Sequence, residues 1–234
     1  ELWPPENTIN QRLYLHSNNT VSFNKPTQNK GSLSYISDPL NPIPYRKRPI
    51  ESTFTTESNW PSWLVEDQRF VSSRNDVLSF SSEIFENNIT VTGKIKAYIN
   101  TSTTETDADF VVKVIDVYPD FNELDSDLNG YQFPVTMEVF RGRFRSSFEK
   151  PKPFTPNKIE EIIIDLHQID HVFLKGHKIM IQIQSTWFPI IDINPQKYVP
   201  NIFNAKDEDF IKAKHTIYTN SEHSSYIELP IIEK

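Results

Sequence analysis

The sequence predicts an all-β protein, a β-sandwich or jelly roll, on three observations. From residue 77 onwards, apolar residues recur at every second position, which is the period of a β-strand with one buried face. Turn-forming pairs separate these runs, at Thr92-Gly93, Asn129-Gly130 and Lys175-Gly176. No window keeps helical periodicity for three turns. Many short strands at this spacing favour a sandwich or a jelly roll.

The individual strands follow from their side-chain patterns. Residues 89–99 alternate apolar or Gly with polar side chains, which predicts a long strand with one buried face. Residues 110–117 are nearly continuously apolar, as in a central strand covered on both sides. Further strands are expected at residues 162–166, 179–184 and 226–229. The best helical candidate is the short charged segment Ala205 to Lys214.

Residues 1–50 differ from the rest of the chain. They concentrate Pro, Asn and Ser, and each proline removes a backbone donor and favours extended geometry in the residue before it. We therefore expect residues 1–50 to form an extended N-terminal arm and linker with a first strand near residues 12–16. Residues 51–234 then form the sandwich.

Composition excludes several classes of function. The net charge of -7 and a pI near 5.4 argue against a nucleic-acid partner, and no segment has the roughly 20 apolar residues of a membrane span. The absence of cysteine excludes disulfides, thiolate metal sites and a cysteine nucleophile. The sequence begins at Glu1, with neither an initiator Met nor a signal-peptide pattern, which we expect of a processed product or a piece of a longer chain.

The sequence lacks the motifs of a local active site. The five glycines complete no G-x-S-x-G nucleophile turn. His167, His171 and His177 lie near a predicted turn, without an adjoining Glu base, and are expected to be loop or surface histidines. Asp125, Asp127 and Asn129 match the start of a calcium loop, D-x-D-x-N-G, but Thr136 stands where the bidentate Glu belongs. These three are candidate calcium ligands, and we favour an acidic hairpin loop instead.

Two segments are better candidates for an interaction surface. In residues 63–70, charged side chains stand among bulky apolar ones, which indicates a buried ion pair or an interface. Residues 185–195 follow a regular strand and then lose their period in an aromatic-rich loop. That loop is either a docking or sugar-stacking surface or a cover over the end of the sandwich.

Over nearly its whole length, the chain resembles the C-terminal domain of the α-amino-acid ester hydrolase, cocaine esterase and X-prolyl dipeptidyl peptidase family of CocE/NonD-type serine hydrolases. The residues that carry the resemblance occur in order along the chain: Asp38-Pro39, Pro42-Ile43-Pro44, 63–70, 106–113, 115–120, 140–145, Gly176-His177-Lys178, Trp187-Phe188-Pro189, Asp192 and Asn194-Pro195.

The resemblance implies a jelly-roll domain of the galactose-binding-like kind that packs on an α/β-hydrolase domain of the same parent protein. In the family, the catalytic triad lies in that hydrolase domain, so we expect no catalytic residue and no cofactor in this chain. An exported location is also implied, and homo-oligomerisation through the parent is left open. The alternative function is a free-standing carbohydrate-binding β-sandwich.

The family's jelly roll can wall one side of the substrate pocket, which gives the candidate site residues a role. We expect the segment Trp60–Trp63 to reach that pocket. The residues predicted at the pocket wall or the interdomain contact are Trp60, Trp63, Asp67, Arg69, Trp187 and Phe188.

Overall fold

The computed structural model describes residues 3–123 and 125–233. Eleven β-strands lie in these ranges: β1 Thr8–Leu15, β2 Val21–Ser22, β3 Ser32–Ser37, β4 Leu78–Ser81, β5 Ile89–Thr103, β6 Asp109–Val117, β7 Gln132–Arg141, β8 Glu160–Phe173, β9 Lys178–Gln184, β10 Ala213–Tyr218 and β11 Tyr226–Ile232. The described part of the chain contains one short α-helix, α1 Arg69–Ser72. Its 3₁₀ helices are Trp60–Val65, Ser126–Leu128, Gly142–Phe144, Ile202–Asn204 and Asp207–Asp209. None of the described helices is long and apolar enough to cross a membrane.

The strands form two antiparallel sheets. Sheet A has seven strands, and six of them follow the order β2-β1-β11-β5-β10-β3. β11 and β10 pair with the same edge of β5, one after the other along its length, and the seventh strand, β8, pairs with the opposite edge. Sheet B has four strands in the order β4-β9-β6-β7. The prediction of an all-β sandwich is confirmed, whereas the finer assignment as a jelly roll stays a prediction.

The core lies between the two sheets and follows the period-two pattern. Sheet A buries one face of β5, through Val91, Ile95 and Ile99, and sheet B buries Phe110 and Val112 of β6 against it. Successive side chains of a strand point to opposite faces, so the alternate residues of each strand face away from this core. On sheet B the outward-facing side is covered as well, which explains the nearly continuous apolar run in β6.

The structure of the first fifty residues differs from the expected arm. The strand predicted near residues 12–16 runs from Thr8 to Leu15, and two further strands follow by Ser37. β1 pairs with β11, and β3 pairs with β10, so this segment is an integral part of sheet A. β2 has two residues and β3 has six, which leaves a period of two little length in which to appear.

The prediction of a helix from Ala205 to Lys214 is wrong. A single 3₁₀ turn, Asp207–Asp209, is followed by β10. The Asp209 carboxylate accepts the backbone N–H of Lys206 at 3.0 Å, which closes that turn locally. Beyond it, Ala213, His215 and Ile217 are buried in alternation, which is strand period.

Candidate functional site: an aromatic cluster beside an apolar groove

The segment Trp60–Val65 forms a 3₁₀ helix, and this turn brings its two tryptophans together. Pro61 stands in the first turn, where a missing backbone N–H costs no hydrogen bond. A 3₁₀ helix has three residues per turn, so side chains three apart share one side. The rings of Trp60 and Trp63 accordingly lie 5.8 Å apart between centroids.

Four rings make up what we call the aromatic cluster: Tyr45, Trp60, Trp63 and Trp187. Tyr45 lies 6.1 Å from Trp60 and 5.7 Å from Trp63, and Trp187 lies 5.9 Å from Trp63. These separations are those of favourable edge-to-face and tilted aromatic pairs. The cluster packs on the outward face of sheet B. Tyr45 and Trp187 are buried in it, and Trp60 and Trp63 are partly exposed.

The loop at residues 185–195 is fixed to the segment that carries Tyr45. The backbone N–H of Phe188 donates to Ile43 O, and that of Tyr45 donates to Phe188 O, both at 2.9 Å. At the far end of the loop, Asn194 Nδ2 donates to Asp109 Oδ1 at 2.8 Å. Burial raises the pKa of Asp109 to about 7, against the opposing effects of the Arg141 charge and the Asn194 hydrogen bond. Phe188 contributes to the site through its backbone N–H and carbonyl, which join the loop to the segment that carries Tyr45.

Two ion pairs flank the tryptophan helix, as the charges in residues 63–70 predict. Arg46 Nε lies 2.8 Å from Glu66 Oε2, and the Arg46 side chain is buried. Asp67 pairs with Arg69, whose guanidinium is half-exposed and also donates to the carbonyl of Asn129. The buried pair therefore involves Arg46 and Glu66, whereas the predicted site residues Asp67 and Arg69 form the exposed pair at the side of the site.

A lysine is buried beneath the aromatic cluster. Lys113 lies in the middle of β6, and its Nζ donates to Gln68 Oε1 at 2.7 Å. The same Nζ lies 5.9 Å from the centroid of the Trp187 ring. Burial lowers the pKa of Lys113 to about 7, because a charged ammonium is poorly solvated there.

A groove of about 720 Å³ runs beside the cluster. Trp63, Leu64 and Val65 form one wall together with Ile190 and Ile191. Residues 133–139 of the edge strand β7 form the floor, and residues 168–171 of β8 form the other wall. Leu64 and Val65 are 54% and 43% exposed, so this apolar wall faces solvent in the isolated chain.

The free edge of β7, under the groove, is blocked from pairing with another strand. The Gln132 N–H donates to Asp67 Oδ1, and its carbonyl accepts the Gln68 N–H. The Val139 N–H donates to the carboxylate of its neighbour Glu138, and Pro134 has no N–H. Such features prevent the addition of another strand. The groove therefore presents side chains to a partner and offers little free backbone.

His171, which lines the groove, shares a buried carboxylate with a second histidine. Asp116 contacts His171 Nε2 at 2.9 Å and His177 Nδ1 at 2.8 Å. His177 lies in the loop between β8 and β9, as expected, but its side chain is buried. His167 is exposed as expected, although it lies within β8 and contacts Glu138.

The candidate calcium residues are engaged in local hydrogen bonds. Asp125 Oδ1 accepts the Asp127 N–H at 2.9 Å and so caps the 3₁₀ helix Ser126–Leu128. Asn129 Oδ1 accepts the Asn122 N–H at 2.6 Å. Within residues 3–123 and 125–233, no three His, Cys, Asp or Glu side chains are grouped so as to hold a metal ion.

The structure thus brings together the predicted residues Trp60, Trp63 and Trp187. Sequence reasoning missed Tyr45 and Lys113 as members of the site. A lysine in the middle of the apolar run 110–117 was the signal that could have identified Lys113. Tyr45 lies in a proline-rich stretch that carries no comparable signal.

Comparison with known proteins places the chain among hydrolases that are much longer. It is 30% identical to the cocaine esterase of Rhodococcus sp. (strain MB1 Bresler), over 99% of the chain but 39% of the esterase. The crystal structure of an aminopeptidase from a Thaumarchaeota archaeon superposes with a TM-score of 0.96 at 42% identity, over 99% of the chain and 38% of that protein.

An α-amino acid ester hydrolase gives a TM-score of 0.91 at 42% identity, over 94% of the chain and 36% of the hydrolase. The chain therefore spans less than two-fifths of the length of these relatives. It corresponds to one domain of these longer proteins, and a free-standing carbohydrate-binding sandwich is not favoured. The profile of X-Pro dipeptidyl-peptidase C-terminal non-catalytic domains matches residues 1–228, and the chain belongs to that family.

Proposed function

We propose that this domain packs on the α/β-hydrolase domain of a serine hydrolase and walls one side of its substrate pocket. The observation that carries the proposal is the position of Trp63, which belongs both to the aromatic cluster and to the wall of the groove. The catalytic residues are then supplied by the hydrolase domain, and this domain contributes an apolar surface.

The exposed apolar wall supports a partner at the groove. Leu64 and Val65 are exposed beside Trp63, and Ile190 and Ile191 line the same groove, so these apolar side chains are available to a partner. More than three-fifths of each relative lies outside the matched region, so the occupant we propose is the remainder of the parent protein.

The site is better suited to recognition than to catalysis. Trp63 rests on Trp60 and Trp187, so its ring is held in place before a ligand arrives, which reduces the entropic cost of binding. A fixed indole offers a flat apolar face to a substrate side chain. The relatives are named as a cocaine esterase, an aminopeptidase and an α-amino acid ester hydrolase, which favours esters or amides of α-amino acids as substrates.

The test is Trp63→Ala in the full-length parent, assayed on amino-acid esters of increasing side-chain size. We expect KM to rise about tenfold for bulky apolar side chains and to change little for small ones, because the lost contact is apolar. Phe203→Ala is the matched control, since Phe203 is 77% exposed and lies outside the groove. If the substrate profile of Trp63→Ala equals that of the control, the pocket-wall role is refuted.

A further inference from the structure

A small polar pocket lies beside the turn between β1 and β2, apart from the groove. The loop that follows β2 and Thr219, at the end of β10, complete its walls. Its volume is about 220 Å³. Pockets for drug-sized ligands begin at roughly 300 Å³, so this one suits a small ligand. The polar pocket, as we call it, is lined among others by His16, Ser17, Lys25, Thr27, Gln28 and Thr219.

The walls of the polar pocket are held in place by the surrounding fold. The backbone N–H of His16 donates to Thr20 O at 2.9 Å, which closes the turn after β1. In the loop after β2, Pro26 is buried, and the Gln28 carbonyl accepts the Ser221 N–H at 2.9 Å. Both walls are therefore ordered before a ligand arrives, which lowers the entropic cost of binding.

One wall contains a buried hydroxyl group without a hydrogen bond. The Thr219 side chain is 3% exposed, and its Oγ1 has no hydrogen-bond partner in the part of the chain that the structure describes. No side chain covers this hydroxyl from Gly31, where a Cβ would lie 3.1 Å from Oγ1. Buried polar groups are nearly always hydrogen-bonded. An unpaired hydroxyl on the wall of a pocket therefore indicates a ligand that completes its hydrogen bonding.

The other polar groups of the pocket are free donors. Among residues 3–123 and 125–233, the Lys25 ammonium has no carboxylate partner, and the side chains of Ser17, Thr27 and Gln28 have no hydrogen bond. His16 Nε2 contacts Ser22 Oγ at 2.9 Å, which leaves Nδ1 as the ring nitrogen available to a ligand. An ammonium, an amide N–H₂ and several hydroxyls together suit a ligand that only accepts hydrogen bonds.

The charge of the lining decides between an anion and a neutral sugar. None of the described residues that line the pocket is acidic, although the chain has 31 acidic and 24 basic residues. None of them is Trp, Tyr or Phe either, so a sugar would find neither an aromatic face for its ring nor a carboxylate for its hydroxyls. Lys25 supplies a positive charge instead.

We infer that the polar pocket binds a small free oxyanion such as inorganic phosphate. Lys25 provides the opposite charge, and Thr219 donates from the buried wall. Charge-assisted hydrogen bonds of this kind are stronger than neutral ones. The polar pocket and the groove share no lining residue, so this site goes beyond the proposed function and does not depend on it.

The test is a phosphate titration followed by the NMR shifts of the backbone amides. Sodium chloride keeps the ionic strength constant, because screening alone changes the shifts near charged groups. We expect saturable shifts at residues 16–19, 25–28 and 219, with a dissociation constant of about 1 mM. Sulfate should shift the same amides. The absence of saturable shifts at these residues up to about 20 mM phosphate overturns the inference.

Two variants assign the site, and a third is their matched control. Lys25→Met should raise the dissociation constant about fivefold or more, because it removes the charge. Thr219→Val keeps the shape of the side chain without its hydroxyl and should raise the constant about threefold. Lys30→Met removes an exposed lysine of the same loop outside the pocket and should leave it unchanged. Equal weakening by Lys30→Met and Lys25→Met would show general attraction of anions and overturn the site.

Unfolding in urea separates lost binding from a folding defect. Without phosphate, all three variants should unfold at the same urea concentration as the wild type, since Lys25 and Lys30 are exposed and the Thr219 hydroxyl is unpaired. With phosphate, the midpoint should rise for the wild type and for Lys30→Met, because the ligand binds the folded state. It should rise less for Lys25→Met. An equal rise in Lys25→Met and the wild type, or glucose binding at the same amides in place of phosphate, overturns the inference.

Discussion

Replacing Lys113 by Met is expected to stabilise the domain at neutral pH and to remove a pH dependence between about pH 7 and 10.5. The folded-state pKa of Lys113 is lowered from 10.5 to about 7 by burial. Between these values the unfolded chain binds a proton that the folded chain does not, so the stability of the wild type rises with pH. This stabilisation is fully present above the unfolded-state pKa of 10.5 and is lost as the pH falls towards the folded-state pKa of about 7.

The magnitude follows from the two pKa values. Each pKa unit is worth about 1.4 kcal/mol, so the full difference corresponds to about 5 kcal/mol. Met avoids this cost but leaves the Gln68 amide oxygen without its donor, which costs about 1–2 kcal/mol. We expect the variant to be more stable than the wild type by about 3 kcal/mol at pH 7, and less stable by about 1 kcal/mol near pH 10.5.

The assay is urea unfolding of the variant and the wild type at several pH values. In the difference between their free energies of unfolding, the contributions of other groups that titrate at high pH cancel. Lys158→Met, which removes an exposed lysine, is the control and should give a profile parallel to the wild type. A stability difference between Lys113→Met and the wild type that stays constant from pH 7 to 10.5 would refute the reasoning.

Two further predictions concern the core of the sandwich. Gly142→Ala should destabilise the domain by about 1–3 kcal/mol in urea unfolding, because the added Cβ would lie 2.6 Å from the Phe154 ring and 2.7 Å from the Ala108 carbonyl oxygen. A loss below about 1 kcal/mol would contradict this. His215→Gln should make the domain less sensitive to acid. Burial lowers the pKa of His215 to about 3, so wild-type stability falls as the pH drops below about 6.5, by about 3 kcal/mol at pH 4. Equal acid sensitivity of wild type and variant would argue against a buried neutral His215.

The sandwich could be predicted because its long strands keep their period without interruption. Residues 89–99 and 162–166 alternate visibly, and the structure places them in β5 and β8. Of the strands in residues 8–37, β1 was predicted in part, whereas β2 and β3 were missed because two and six residues give a period of two little length in which to appear. Their stability comes from pairing with β10 and β11, which lie about two hundred residues away in sequence.

The candidate site was only partly predictable for a similar reason. The spacing of Trp60 and Trp63 identifies a local feature, since three residues make one turn of a 3₁₀ helix. Tyr45, Lys113 and Trp187 come from separate segments and meet only after the loops fold over sheet B. The groove depends on β7 and β8 belonging to different sheets, and no local pattern encodes that arrangement.

The most direct test of the central claim is hydroxyl-radical footprinting of the isolated domain and of the full-length parent. If the hydrolase domain packs on the groove, Trp63, Leu64 and Ile190 should be modified in the isolated domain and protected in the parent. Phe148 and Phe203, which are exposed outside the groove, should be modified equally in both. Equal modification of Trp63 and Leu64 in the two proteins would contradict packing through this surface.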